Sequence, residues 1–254
     1  MTMNAQNKDV ELIGRESTVV PGRFGEPFAV DDNHVLWSRE HGEAMPSRPL
    51  FLGLHGWGAN EEDAAKLVEM VAPFNDYVAL RGPYTLADAQ GPYIPGAYSW
   101  FHDALVSGDD MDYDVYAAAV AVNDWVLAHL PAGREVVPIG FSQGGTIAVH
   151  LLRLNPERYR AAVSFSGYLA PGRVAGTAPA DDRLASLDIP VYYCYGKNET
   201  VVPKYELYAC AAWLEEHTWL TTKSYHGLDH AVNLEEFNDI REWMINNALA
   251  SGVM

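Results

Sequence analysis

The chain alternates short apolar runs with amphipathic stretches of helical period. Six such runs predict strands, and the run at residues 135–139 lacks an alternating polar face, as a buried strand does. The six runs cover residues 50–54, 77–80, 135–139, 162–165, 190–195 and 222–225. A short strand pair is also predicted near the start, at residues 28–30 and 35–37. This alternation of strands and helices predicts an α/β fold, in which helices cover both faces of a mostly parallel sheet.

Between the runs, apolar side chains recur every three or four residues, which predicts helices. One helix is predicted at residues 62–71, Asn155-Pro156 should end another, and Pro203 is a favourable first residue for a third. The apolar stripes of the other helices are Val115, Ala119, Val122, Val126 and Leu130; Ile147, Leu151 and Leu154; Leu207, Cys210, Ala211 and Leu214; and Leu234, Phe237, Ile240, Met244 and Ala248.

Length and composition favour one large domain. A chain of 254 residues that is 48% hydrophobic fits a single α/β domain, which we place at residues 26–254 after a polar arm at residues 1–25. Seventeen basic residues against 34 acidic ones give a formal net charge of −17. This charge argues against nucleic acids and anionic membrane surfaces as partners.

The cysteines and the apolar stretches bear on where the protein works. Cys194 and Cys210 lack the spacing of metal ligands or redox pairs, so we expect two reduced core residues. The first residues lack the apolar core of a signal peptide, and no apolar stretch approaches membrane-spanning length. We therefore expect a cytoplasmic protein without stable membrane insertion, for which a homodimer remains open.

The strongest chemical signal is the motif G-F-S-Q-G at residues 140–144. An apolar run precedes it and a helical stripe follows it, which is the order of the nucleophile elbow in α/β-hydrolases. The elbow would hold Ser142 on a sharp, strained turn. Gly140 and Gly144 fit this reading, because a side chain at either position would collide with crossing backbone.

A serine nucleophile needs a base, and the base needs an acid that orients it. In α/β-hydrolases the acid and then the histidine follow the serine. His230 is favoured as the base over His226, because it lies on the loop just before the last predicted helix. Glu199 is favoured as the acid, because it lies on the loop that leaves a late strand. Asp188 is at the wrong end of that strand, and Asp229 is too near the histidine in sequence.

Backbone N–H groups of Gln143 and Trp57 are expected to stabilise the oxyanion. Gln143 follows the nucleophile, and Trp57 lies in L-G-L-H-G-W-G-A-N after an early strand. Two Gly- and Pro-rich segments, residues 84–102 and 167–188, leave the carboxyl ends of predicted strands, where open α/β sheets bind ligands. Their aromatic residues are candidates for a substrate pocket: Tyr98, Trp100, Phe101 and Tyr168.

Several linked motifs resemble those of the phospholipase/carboxylesterase family, which includes the acyl-protein thioesterases. They are L-H-G-W-G, R-G-P-Y, S-W-F, G-F-S-Q-G-G, Y-G-x-x-E-x-V-V-P and G-L-D-H, in the family's order over roughly residues 50–250. The resemblance implies an α/β-hydrolase fold, a Ser-Asp-His triad without metal or cofactor, and ester or thioester substrates. By position it makes Ser142 the nucleophile and His230 the base. It likewise makes Trp57 and Gln143 the oxyanion donors.

The chain departs from the family's pattern in a few places. In the family motif H-G-x-x-D-x-V-V-P, this chain has Tyr195 in place of the histidine and Glu199 in place of the aspartate. His102 stands where S-W-F is usually followed by aspartate, and the arm before Leu50 is long. These differences bear on the substrate more than on the mechanism.

The sequence thus predicts a serine carboxylesterase that works in two steps. Ser142 attacks an ester carbonyl while His230 takes its proton, and water activated by the same histidine then hydrolyses the acyl-enzyme. Short- to medium-chain carboxylic esters are expected, because no long apolar lid is visible. The alternatives are an acyl thioesterase or lysophospholipase on the same scaffold, and a small-molecule receptor with a hydrolase fold.

Overall fold

The structure is a computed structural model that describes residues 29–39, 48–89, 91–102 and 108–250. The predicted arm at residues 1–25 lies outside this part of the chain, as does residue 28. The predicted pairing of residues 28–30 with 35–37 is wrong, because residues 29–31 form no strand. A 3₁₀ turn at Asp32–His34 follows them, and Leu36–Trp37 pairs with a strand much further along the chain.

Seven of the nine strands in the described ranges form one sheet. The strands are β1 Leu36–Trp37, β2 Leu50–Leu54, β3 Tyr77–Leu80, β4 Tyr84–Thr85, β5 Tyr98–Ser99, β6 Val136–Phe141, β7 Ala162–Phe165, β8 Pro190–Gly196 and β9 Trp219–Tyr225. The order in the large sheet is β1-β3-β2-β6-β7-β8-β9. Only β1 runs antiparallel to its neighbour, and β4 and β5 form a separate antiparallel pair. The predicted mostly parallel sheet is confirmed.

Helices connect the strands and cover the sheet. Those in the described ranges are α1 Glu61–Val71, α2 Gly108–His129, α3 Gln143–Leu154, α4 Asp181–Leu184, α5 Lys204–His217 and α6 Leu234–Asn246. Asn155-Pro156 ends α3, as predicted. Pro203, predicted as the first residue of α5, is its N-cap, one residue before the helix begins. Within the described ranges, no helix combines the length and the apolar character needed to cross a bilayer.

The sheet separates two hydrophobic clusters. Leu52 and Leu54 of β2 pack in the first cluster with apolar residues of α2, α3 and α5. Phe51, between them in register, packs in the second cluster with α1 and α6. Because both faces of the sheet are covered, its central strands lack a polar face and read as continuous apolar runs. Cys194 and Cys210 are free and buried, one in each cluster.

The sheet has a topological switch point between β2 and β6. From β2 the chain continues into β3 on one side, whereas β6 lies on the other side of β2. The loops that leave two such strands diverge and create a crevice at their carboxyl ends. Here β2 leads into the segment from His55 to Asn60, and β6 leads into Ser142. The fold therefore brings the L-H-G-W-G and G-F-S-Q-G motifs to one crevice.

Candidate active site

Ser142 occupies a strained turn between β6 and α3. Its φ of 55° and ψ of −116° lie in a region of backbone conformation that residues other than glycine rarely adopt. The turn is held by the backbone N–H of Ser142, which donates to the carbonyl of Phe165 at 2.8 Å. This is the strand–turn–helix geometry that the sequence motif predicts for a nucleophile elbow.

The flanking glycines make the turn sterically feasible. A Cβ at Gly140 would lie 2.3 Å from the backbone of Gly144, and a Cβ at Gly144 would lie 2.1 Å from the carbonyl oxygen of Leu54. Neither contact can be relieved by rotating a side chain, because both involve backbone atoms. The predicted need for glycine at both positions is confirmed.

Glu199 and His230 meet at the ends of β8 and β9. The His230 ring donates from Nδ1 to Glu199 Oε2 at 2.7 Å. The other carboxylate oxygen, Oε1, accepts the backbone N–H groups of Val201 at 2.8 Å and Val202 at 3.0 Å. The Glu199 side chain is fully buried and that of His230 is 15% exposed. The carboxylate is therefore fixed from both sides, and Nε2 remains the ring nitrogen available for chemistry.

Asp229 supports this pair without touching the imidazole. Its Oδ1 accepts the N–H of Thr200 at 2.9 Å, the Thr200 hydroxyl at 2.8 Å and the N–H of His230 at 2.8 Å. The hydrogen bonds from Thr200, together with that from the His230 N–H, lower the pKa of Asp229. Asp229 thus ties the loop after β8 to the loop after β9, a role that sequence reasoning missed when it set this residue aside.

The structure brings Glu199 to His230 and not to His226. His226 is exposed, and its Nε2 lies 2.8 Å from the Lys197 ammonium. The ring of His230 instead packs against Phe141, the residue before Ser142, with the ring centroids 4.7 Å apart. Among the described residues no hydrogen bond joins Ser142 Oγ to the imidazole, a bond that often tightens only in the substrate complex.

The two predicted oxyanion donors border the same crevice. Gln143 is the first residue of α3, where backbone N–H groups have no intrahelical acceptor and the helix dipole is positive. Trp57 lies in the turn between β2 and α1. Neither backbone N–H donates to another group in the described part of the chain. Both are therefore free to bind an anionic oxygen.

Buried His55 holds the Trp57 loop in place, and sequence reasoning missed this role. Its Nδ1 donates to the carbonyl of Gly56 at 2.7 Å, and its Nε2 accepts the N–H of Gly82 at 2.8 Å. Burial lowers the pKa of His55 to about 4, so the ring is neutral at pH 7. The signal was present in L-H-G-W-G, where the histidine lies two residues before the predicted oxyanion donor.

The segment after β5 links the two loops that carry the predicted oxyanion donors. Trp100 donates from its indole N–H to the His55 carbonyl at 3.0 Å and from its backbone N–H to Gln143 Oε1 at 3.1 Å. Trp100 and Phe101 are 1% and 0% exposed, so they present no surface to a substrate. Their prediction as pocket-lining residues is not supported by this burial, because their rings fill the hydrophobic core instead.

The other two pocket candidates are more accessible. Tyr98 is half-buried, with the Arg81 guanidinium over its ring at 4.4 Å from the centroid. Tyr168 is half-buried as well, and its backbone N–H donates to Thr146 Oγ1 at 2.9 Å. In the described residues, no group of three or more histidine, cysteine, aspartate or glutamate side chains is placed to hold a metal ion.

Comparisons with known proteins identify the family. The family model described as Phospholipase/Carboxylesterase matches residues 42–247. Acyl-protein thioesterase 1 of Kluyveromyces lactis is 21% identical over 216 residues, which cover 80% of this chain and 93% of the relative.

Solved structures share the fold. The crystal structure of Zea mays acyl-protein thioesterase 2 superposes with a TM-score of 0.65 at 25% identity, covering 84% of this chain and 98% of that one. The carboxylesterase of Bacillus cereus superposes with a TM-score of 0.61 at 19% identity, covering 84% of this chain and 93% of the other. The chain has the α/β-hydrolase fold and belongs to the phospholipase/carboxylesterase family.

Proposed function

We propose that this hydrolase is a serine carboxylesterase in which Ser142, His230 and Glu199 form the catalytic triad. The observation that carries the proposal is the 2.7 Å hydrogen bond from His230 Nδ1 to the buried Glu199 carboxylate. It fixes the tautomer in which Nε2 can accept a proton. The strained backbone of Ser142, next to the Phe141 ring that contacts His230, supplies the matching nucleophile.

Acylation follows from these positions. Ser142 Oγ attacks the carbonyl carbon of the ester while His230 Nε2 takes the hydroxyl proton. The carbonyl oxygen becomes an oxyanion, which accepts hydrogen bonds from the backbone N–H groups of Trp57 and Gln143. When the intermediate collapses, the bond from carbon to the alcohol oxygen breaks, and His230 gives its proton to the leaving alcohol. Each oxyanion donor contributes about 2.7–4 kcal/mol to lowering the barrier.

Deacylation repeats the sequence with water. His230 Nε2 takes a proton from water as the water oxygen attacks the acyl-enzyme carbonyl, and the same proton then returns to Ser142 Oγ as the acid leaves. Glu199 stabilises the imidazolium that forms in each half-reaction.

Glutamate can replace the family's aspartate here because backbone groups hold the carboxylate in addition to the histidine. The Val201 and Val202 N–H groups hold Oε1, so the additional torsion of a glutamate does not leave the carboxylate mobile.

The proposed substrates are short- to medium-chain carboxylic esters, with Tyr98 and Tyr168 as candidates for the acyl side. A thioester or lysolipid substrate is the alternative on the same machinery. The name of the Kluyveromyces lactis relative, an acyl-protein thioesterase, favours testing the thioester directly.

Hydrolysis of nitrophenyl acetate and butyrate tests the mechanism. We expect turnover by the natural chain, its loss in Ser142→Ala, and its retention in Ser186→Ala, which removes an exposed serine after α4. Turnover by Ser142→Ala would end the mechanism. A butyryl ester, a butyryl thioester and a lysolipid compared side by side decide the substrate class. Saturable ligand binding without turnover would instead indicate a receptor.

A further inference from the structure

A cleft of about 430 Å³ opens beside His230 on the face of the sheet that carries α1 and α6. Its walls come from the loop after β2, from α1, and from the segment that joins β9 to α6. The volume lies within the range of about 300–1,000 Å³ that is usual for small-molecule sites. Its principal apolar wall residues are Ala59, Leu67, Met70, Phe141, Val232 and Phe237.

The cleft borders the proposed catalytic base. His230 and Gly56 both line it. A Cβ added at Gly56 would lie 3.4 Å from the Cβ of Ser142, so this wall packs against the turn that carries the proposed nucleophile. Phe141 forms another wall and packs on the His230 ring. A group bound in the cleft therefore lies next to the imidazole that would transfer the proton.

The cleft has no charge suited to an ionic ligand. Apart from His230 and the neutral His55, its charged or titratable lining residues in the described chain are Asp63 and Lys66. These two pair with each other at 3.6 Å and are 50% and 67% exposed, which places them toward solvent. His55 uses both ring nitrogens in contacts with backbone groups. The cleft therefore favours an apolar occupant.

The direction of proton transfer decides which half of the substrate enters the cleft. His230 protonates the oxygen of the leaving group, so that oxygen must lie at the imidazole and its substituent must follow the His230 wall. The half-buried Tyr168 packs on the opposite face of the sheet, with the cluster of α2, α3 and α5. The two sides of the crevice can thus receive the two halves of an ester separately.

We propose that this cleft binds the alcohol portion of the ester, as a medium-length alkyl chain or a single aromatic ring. The inference rests on the proposed serine esterase function and adds a substrate class to it, namely esters with an apolar leaving group. Linear alkyl alcohols suit the test, because their leaving-group reactivity hardly changes with length while their apolar area grows steadily.

The first experiment measures kcat/KM for ethyl, butyl and hexyl butyrate. Full burial of a methylene gives about a fourfold gain, so we expect at least a tenfold rise from the ethyl to the hexyl ester. Leu67→Trp and Met70→Trp, which narrow the cleft, should reduce this ratio to below threefold. Met70 is 37% exposed, so its replacement keeps the test available if Leu67→Trp fails to fold. Leu127→Trp, at an exposed position of α2 away from the cleft, should keep both the activity and the ratio.

If kcat/KM of the natural enzyme does not rise from the ethyl to the hexyl ester, the inference is overturned while the esterase mechanism stays intact. A Leu67→Trp variant that alters the preference for acyl length at a fixed ethyl alcohol would also overturn it, because the cleft would then hold the acyl group. NMR measurement of 1-hexanol binding to Ser142→Ala separates the proposed cleft from the proposed esterase mechanism. If no ester is hydrolysed, saturable hexanol binding that Leu67→Trp removes would still support the cleft, and its absence would overturn it.

Discussion

Replacing Glu199 with glutamine tests the acid of the proposed triad at almost constant volume. The natural carboxylate accepts Nδ1–H of His230 on one oxygen and two backbone N–H groups, from Val201 and Val202, on the other. An amide has only one oxygen. If that oxygen faces the imidazole, the NH₂ group confronts two N–H donors. If it faces the backbone, the NH₂ group confronts Nδ1 and favours the unproductive tautomer.

The expected loss is large because either orientation breaks part of the arrangement and the negative charge disappears. The analogous change in a serine protease lowers kcat by about 10⁴, so we expect Glu199→Gln to lower kcat by about 10³–10⁴, or roughly 4–5 kcal/mol of barrier. Glu199→Asp keeps the charge but is one methylene too short to reach both partners. We expect it to lose about 10- to 100-fold, which a shift of about 1 Å can cause.

The assay is steady-state hydrolysis of nitrophenyl butyrate, with thermal unfolding to establish that each variant is folded. Asp229→Asn is the matched control, because its amide oxygen can still accept the Thr200 and His230 N–H groups. We expect that control to stay within about fivefold of the natural enzyme. A Glu199→Gln variant that retains a tenth of the activity would refute the assignment. A larger loss in Asp229→Asn than in Glu199→Gln would identify Asp229 as the acid.

Three further predictions concern stability. Gly144→Ala should lose about 3 kcal/mol or more in urea unfolding, because the added methyl meets backbone, whereas Gly133→Ala, with no atom within 4 Å of its Cβ, should be nearly neutral. The pKa of His55 falls to about 4 in the folded protein. The stability contributed by the neutral His55 ring is therefore complete above about pH 6.5 and is lost as the pH falls toward 4. We expect His55→Gln to remove this dependence of the unfolding free energy on acid pH. Burial raises the pKa of Glu236 to about 7, so the folded protein loses stability as the pH rises from about 4.5 to 7. Glu236→Gln should abolish this loss and raise the unfolding free energy at pH 8 by about 1–3 kcal/mol. The exposed control variant Glu235→Gln should leave the loss unchanged.

The parts of the fold that local sequence determines were predictable. The strands at residues 50–54, 77–80 and 162–165 have the predicted bounds, because burial on both faces leaves a continuous apolar run. The elbow was equally accessible, since the glycines that relieve its crowding lie within two residues of Ser142. For these features, the physical cause and the sequence signal occupy the same short segment.

The features that were missed depend on contacts between distant segments. Leu36–Trp37 pairs with Tyr77–Leu80, and nothing in the local pattern identifies that partner. The role of His55 depends on an N–H 27 residues away, at Gly82. In the aromatic loop predicted to line a pocket, Trp100 is buried instead, because its indole N–H donates a hydrogen bond to the distant His55 carbonyl. Aromatic density in a loop therefore indicated importance but not exposure.

Direct trapping of the acyl-enzyme tests whether Ser142 is the nucleophile. The protein is mixed with excess nitrophenyl butyrate, quenched in acid within the first turnover, digested, and analysed by mass spectrometry. We expect a burst of nitrophenol and one butyryl group on the peptide that contains Ser142, with both absent from Ser142→Ala. Turnover without an adduct, or an adduct on another residue that persists in Ser142→Ala, would contradict it.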